Sequence, residues 1–221
     1  MSARRPTSVP LEGLHCVKHA LRFAPGLVGD VRVRDRSAAR ALAERLAPDV
    51  ADELLRRAVV GDVAHHTGVQ ARGVVPEADE SVLRRRTSPL VLLDRPRSPG
   101  NAGAVVRVAA AAGASGVVVT GPLDPWHPSV LRGSAGLHYA QPVLSGCDLA
   151  DVTGPFAVLD AGGDPDAALP QDAVLVVGTE RDGVGTDLRR RADLVLALPM
   201  RPGVSSLNLA TATAAALYRR R

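Results

Sequence analysis

The chain has 221 residues, 46% of them apolar, which is enough to bury a core in one large domain or two small ones and excludes a disordered chain. Its two cysteines, Cys16 and Cys147, lie far apart without metal-ligand spacing, which argues against a disulfide framework and a zinc site. A formal charge of +4 favours polyanions only mildly and 2% aromatic content argues against extensive base stacking, while the lack of a long apolar run or signal-like leader gives the cytoplasm as the expected location.

Residues 1–10 read as a flexible basic lead-in. Leu14, Val17 and Leu21 then recur at helical spacing, Val28 to Val33 alternates like a strand, and Ser37 is placed to cap a helix reaching Leu46. A further helix is expected from about Asp49 to Arg57 and a strand from Gly68 to Val75. Charge and turn residues accumulate up to Pro89, so the pattern predicts a small α/β domain over 11–86 and a second domain over 87–221. His65 and His66, read as neighbours on one strand, point to opposite faces and do not suggest a metal.

Beyond Leu90, short apolar runs alternate with helical ones: Leu90 to Asp94, a helix from about Asn101 to Ala112, Gly116 to Thr120, Phe156 to Asp160, Ala173 to Gly178 and Leu194 to Leu198. Such near-continuously apolar strands predict an α/β fold with a parallel sheet covered on both faces. Trp126, flanked by prolines, reads as a loop anchor, and Gly162 to Gln171 as a polar connector.

Three loops follow predicted strands: Ser98 to Arg107, Val177 to Val184, and Leu198 to Ala210. Ligands of open α/β sheets bind beyond the carboxyl ends of the strands, so the three predict a shared site. In the first, Asn101 is placed as helix cap, with Gly100, Gly103 and Arg107 around a helix N-terminus suited to an anion. Its G-x-x-G spacing is not the dinucleotide-binding G-x-G-x-x-G. In the second, Glu180 between Gly178 and Gly183 reads equally well as a ligand-binding carboxylate or a surface acid. In the third, Gly203-Val-Ser-Ser lacks the second glycine of a serine-hydrolase elbow, and Asn208 caps an Ala-rich helix.

Together the loops resemble the signature motifs of the SpoU, or TrmH, family of SPOUT-class RNA ribose methyltransferases, over about residues 88–221. The matching residues are Asn101, Gly103 and Arg107; Gly178, Glu180 and Gly183, with Thr179 where serine is usual; and Pro199, Met200, Ser206, Leu207 and Asn208. Ser134-Ala-Gly136 after Arg132 recurs as well. More weakly, Leu11 to Leu21 and His66 to Ala71 resemble the substrate-binding domain of the ribosomal-RNA branch, a small α/β domain similar to kink-turn-binding ribosomal proteins.

The resemblance implies a SPOUT-type parallel sheet with a deep trefoil knot, supplied mostly by residues 173–209. It implies S-adenosylmethionine as methyl donor, no metal, and methylation of a ribose 2′-oxygen, with ribosomal RNA favoured over transfer RNA. A catalytically silent RNA-binding factor on the same fold is the alternative. Arg107, Asn101, Glu180, Ser206 and Asn208 are implied as catalytic, and Thr120, Gly178, Gly183, Leu198, Met200 and Leu207 as cofactor-binding. Arg132, Ser134 and the run Arg84, Arg85 and Arg86 are candidate contacts to structured RNA, the run reading otherwise as a solvated linker. The family's active site forms between two subunits, so a homodimer is implied.

Overall fold

The computed structural model describes residues 8–179 and 182–219. Its first unit is a four-stranded sheet in the order β1-β4-β2-β3, formed by β1 (Val9–Glu12), β2 (Val28–Val33), β3 (Ala58–Val60) and β4 (Val69–Gly73). Helices α1 (Gly13–Phe23), α2 (Arg36–Ala43) and α3 (Pro48–Arg57) pack with it, burying Val17, Ala20, Leu21, Leu42 and Leu54.

Three expectations need correction. Val9 and Pro10 are not lead-in: they pair with Gly73 and Arg72 in an antiparallel ladder. The cap of α2 is Asp35, not Ser37, because Asp35 has the extended backbone of a cap and accepts from Ala38 N at 2.7 Å, while the Ser37 hydroxyl donates to the same carboxylate. His65 and His66 precede β4 in a loop, so strand alternation does not separate them and their ring centroids lie 4.3 Å apart.

The second unit is a six-stranded sheet in the order β10-β8-β9-β5-β6-β7, with every neighbouring pair parallel. It comprises β5 (Leu90–Leu93), β6 (Gly116–Val119), β7 (Val143–Ser145), β8 (Phe156–Asp164), β9 (Val174–Val177) and β10 (Leu194–Leu196). All four residues of β5, β6 and β9 are buried, as strands covered on both faces require. Alternate residues feed two cores. Val91, Leu93, Val117, Val119, Leu175 and Val177 face one side, with α4 (Pro99–Ala111) and α7 (Leu209–Tyr218). Leu90, Leu92, Val118, Val174 and Val176 face the other, where α6 (Thr186–Arg190) contributes Leu188.

Val82 and Leu83 also enter that second core, so the chain changes sheets between Gly73 and Glu80, ahead of the expected boundary near Arg86. The polar connector is likewise shorter than expected, because β8 runs on to Asp164.

The two units share one core, and residues 131–140 form the joint. The Cys16 thiol donates to Leu131 O, and His19 Nδ1 lies 2.7 Å from Ala135 O, where only a protonated nitrogen can bond. Ser134 sits on α5 (Pro128–Gly133) as its C-cap and is fully buried. This overturns its assignment as an RNA contact: its hydroxyl lies 2.7 Å from His138 Nδ1 and accepts from Gly136 N. His138 Nε2 lies 2.8 Å from the Pro125 carbonyl, which only accepts. Nε2 therefore carries the proton and Nδ1 accepts from Ser134. Trp126 is the expected anchor, 3% exposed, with its ring centroid 4.9 Å from that of His138.

Burial pushes His138 down to about 4 from an ordinary value of 6.5. The folded protein keeps it neutral where the unfolded chain binds a proton, so its contribution is complete above the unfolded value and is lost as pH falls from 6.5 towards 4. The loss approaches about 3 kcal/mol. Urea unfolding at pH 7 and pH 5 should show His138→Gln losing less stability on acidification than the wild type; equal losses refute the assignment.

Candidate functional site

The three loops meet at the carboxyl edge of the parallel sheet. β9 ends at Val177, and the chain then turns back so that Thr179 and Gly183 form an antiparallel bridge, with Gly183 N donating to Thr179 O at 2.9 Å. A Cβ on Gly178 would stand 2.1 Å from the Gly183 carbonyl, so this glycine lets the loop close on itself. That is a different reason from close approach to a ligand. β10 ends at Leu196, and the following loop reaches α7 at Asn208, whose carboxamide oxygen caps the helix by accepting from Ala210 N at 3.0 Å.

Between these loops lies a cleft lined by Gly178, Gly183, Leu198, Met200, Ser206 and Leu207, all expected at the site. Thr120 is not part of it: its hydroxyl lies 3.1 Å from Asp94 Oδ1 and accepts from Arg95 N. Glu180 lies outside the described residues. Asp160 and Ser205 line the cleft and were not expected to. A backbone hydrogen bond from Gly162, together with the nearby Arg189 guanidinium, holds the Asp160 carboxyl below its usual range. In the sequence Asp160 is only the end of an apolar run, and nothing local marks it as part of a cleft.

Asn101 and Asn208, 107 residues apart, are joined directly: Asn208 Nδ2 donates to Asn101 Oδ1 at 3.1 Å. Asn101 is not the cap of α4. Ser98 takes that role, accepting from Asn101 N at 3.3 Å with Pro99 opening the helix, which leaves the Asn101 side chain available for the clasp. Arg107 lies six residues further along α4, roughly 240° around the helix, and is exposed. It is not among the cleft-lining residues and its charge is felt instead by His15 and His19 of α1, helping to lower both, after burial as the largest cause.

The candidate RNA contacts separate. Arg132 is exposed, 3.6 Å from Glu12. Arg84 pairs with Asp151, and Arg85 is exposed. Arg86 is withdrawn from the set: its guanidinium donates to the carbonyls of Leu83, Thr153 and Asp172, bracing the chain entry to the second sheet.

The cleft joins the apolar side chains of Leu198, Met200 and Leu207 to the hydroxyls of Ser205 and Ser206, a lining that fits an adenosine carrying a sulfonium arm. Among the described residues no cluster of His, Cys, Asp or Glu is arranged to hold a metal ion. A parallel sheet with such a cleft beyond its strand ends defines an α/β protein of the nucleotide-cofactor-binding kind.

The sequence model of the SpoU rRNA Methylase family matches residues 88–218, and the chain belongs to that family. It is 30% identical over 219 residues to the 23S rRNA (guanosine(2553)-2′-O)-methyltransferase RlmP of Bacillus subtilis, covering 94% of this chain and 86% of that one. With the 23S rRNA (uridine(2479)-2′-O)-methyltransferase of Streptomyces viridochromogenes it shares 35% identity over 144 residues, 58% of this chain and half of that protein. The crystal structure of the SpoU methyltransferase AviRb from Streptomyces viridochromogenes, in complex with AdoMet, superposes with a TM-score of 0.77 at 27% identity, covering 96% of this chain and 89% of that one.

Proposed function

We infer that the chain is an S-adenosylmethionine-dependent methyltransferase acting on a ribose 2′-oxygen of large-subunit ribosomal RNA. The observation that carries this reading is the Asn101–Asn208 clasp beside the cleft of Leu198, Met200 and Leu207, in a chain of this family. Relatives named as 23S rRNA 2′-O-methyltransferases, one of them matching over nearly the whole chain, support ribosomal over transfer RNA.

When bound, S-adenosylmethionine supplies a methyl group activated by its sulfonium. Leu198, Met200 and Leu207 would form the apolar side of the cleft that holds that methyl, while Asp160 on the same wall is paired with Arg189. An oxygen–carbon bond forms as the sulfur–carbon bond breaks, so the protein's work is to align the hydroxyl and relieve its developing charge. A guanidinium stays protonated and cannot act as base. Arg107 therefore binds the adjacent RNA phosphate and stabilises the alkoxide, while that phosphate or water takes the proton. Asn101, Ser206 and Asn208 orient the loops, and Glu180 is assigned to the same polar set.

The reading includes a homodimer. Its support is the position of Arg107 outside the cleft of its own chain, which leaves each site short of an arginine that a second copy can supply. The trefoil path over residues 173–209, the RNA-binding role of the first unit and a cytoplasmic location belong to the same proposal. Among the described residues no helix is long and apolar enough to cross a membrane.

The test is transfer of labelled methyl from S-adenosylmethionine to unmodified large-subunit ribosomal RNA and, separately, to transfer RNA. Incorporation into the former, mapped to a ribose, is expected. Cofactor binding without transfer to either RNA would turn the reading to a silent RNA-binding factor.

A further inference from the structure

A second cleft adjoins the first and shares Thr179 with it; its walls include Arg95, Arg97, Pro122, Leu123 and Asp182. Beneath it lies Asp94, a carboxylate only 5% exposed at the tip of β5. Asp94 gathers three loops: Oδ2 accepts from Gly185 N at 2.7 Å, Oδ1 lies 3.1 Å from the Thr120 hydroxyl, and both oxygens accept from the Arg95 guanidinium at 3.2 and 3.3 Å. Arg95 has a φ of +49°, in the left-handed region that a long side chain seldom occupies. A Cβ on Gly185 would stand 2.8 Å from its Nη2.

Such backbone strain in a residue with no apolar role points to function. Paired with Asp94 through Nε and Nη2, the Arg95 guanidinium still lines the cleft, and its side chain is more than half exposed. Arg97 enters from the same loop and meets Asp182 of the cofactor-side loop at 2.8 Å, with both side chains more than half exposed. An exposed pair of this kind contributes little stability, so an incoming anion displaces the acid at small cost.

We propose that Arg95 and Arg97 form a clamp for a backbone phosphate of the substrate RNA, with Asp182 occupying Arg97 until the RNA arrives. This deepens the methyltransferase reading and rests on it for the identity of the polyanion. Because Asp94 and Asp182 hang on the Thr179–Gly185 loop, the clamp also ties RNA arrival to the loop that walls the cofactor cleft.

The experiment measures binding of unmodified large-subunit ribosomal RNA between 50 and 200 mM salt, by filter retention, for the wild type, Arg97→Ala and Asp182→Asn, with S-adenosylmethionine affinity measured alongside. Arg97 is exposed, so its removal leaves folding intact. Arg97→Ala should weaken RNA binding about five- to tenfold and reduce the salt slope by about 0.7–0.9, the signature of one lost phosphate contact. Asp182→Asn, which releases Arg97, should bind RNA at least as tightly as the wild type. Unchanged RNA affinity and slope in Arg97→Ala, or an equal weakening in Asp182→Asn, overturns the clamp. So does a loss confined to S-adenosylmethionine affinity, which would assign the arginines to the cofactor's carboxylate. Methyl transfer by the wild type is scored separately: an inactive wild type that retains the Arg97-dependent slope refutes the methyltransferase reading and keeps the clamp.

Discussion

Arg107→Ala is expected to lower methyl transfer by about 10²–10³-fold, the range seen when one group that stabilises a developing oxyanion is removed. Thermal stability should hardly move, since the side chain is exposed on α4 and surface changes of this type stay within about 0.5 kcal/mol. Arg107→Lys restores the charge without the two-pronged geometry and should recover activity only in part. Full activity in the lysine variant would refute the bidentate role.

A mixing experiment locates the arginine. Arg107→Ala leaves the cleft intact, and Met200→Arg blocks the cleft while leaving Arg107 in place. If the arginine acts across a symmetric dimer, co-refolding equal amounts of the two inactive variants creates one complete site in half the dimers, and about a quarter of wild-type activity returns. If the arginine serves its own cleft, nothing returns. The position of Arg107, around α4 from the Asn101 clasp, favours the first result.

Parallel strands buried on both faces carry their own signal. Leu90–Leu93, Gly116–Val119 and Val174–Val177 are apolar throughout because neither face meets water, and the chain can be divided from these runs alone. β7 and the extension of β8 have no such run and owe their pairing to neighbours. Caps depend on which of several suitable residues adopts the extended backbone. Asp35 takes the cap two residues ahead of Ser37, and Ser98 three ahead of Asn101.

At the site, the family resemblance, rather than spacing, singled out Gly178, Leu198, Met200, Ser206 and Leu207, and these line one cleft. Thr120, Ser134 and Arg86 resisted the same reasoning. Each is a polar residue near a motif whose bonding capacity is spent internally: on Asp94 and Arg95, on His138, and on backbone carbonyls. Sequence gives the donor but not its distance from a competing acceptor, and burial decides between the two.

Gly103→Ala should be strongly damaging to the packing of the second unit. The added methyl would lie 2.3 Å from the Val130 carbonyl oxygen and 2.9 Å from Ser134 N, atoms of the α5 backbone that cannot rotate away. Alanine favours a helix interior over glycine by about 1 kcal/mol, and the clash must overcome that gain. Forcing α4 from α5 should still leave a net loss of about 2–3 kcal/mol, or a fall in Tm of roughly 4–12 °C for a chain of this size. Gly100→Ala is the control. It lies on the same helix, but its methyl would meet only the Ser98 hydroxyl at 3.8 Å, so it should be neutral. Activity separates the fold from the site further, because α4 carries both Asn101 and Arg107 while α5 leads into the joint with the first unit. A Gly103→Ala protein that still folds at low temperature should keep its apolar cleft, and so its cofactor binding, yet lose methyl transfer as Asn101 is drawn away from Asn208. Wild-type stability in Gly103→Ala would mean that the helices can separate without strain, and the close approach of α4 to α5 would then not be what positions the clasp.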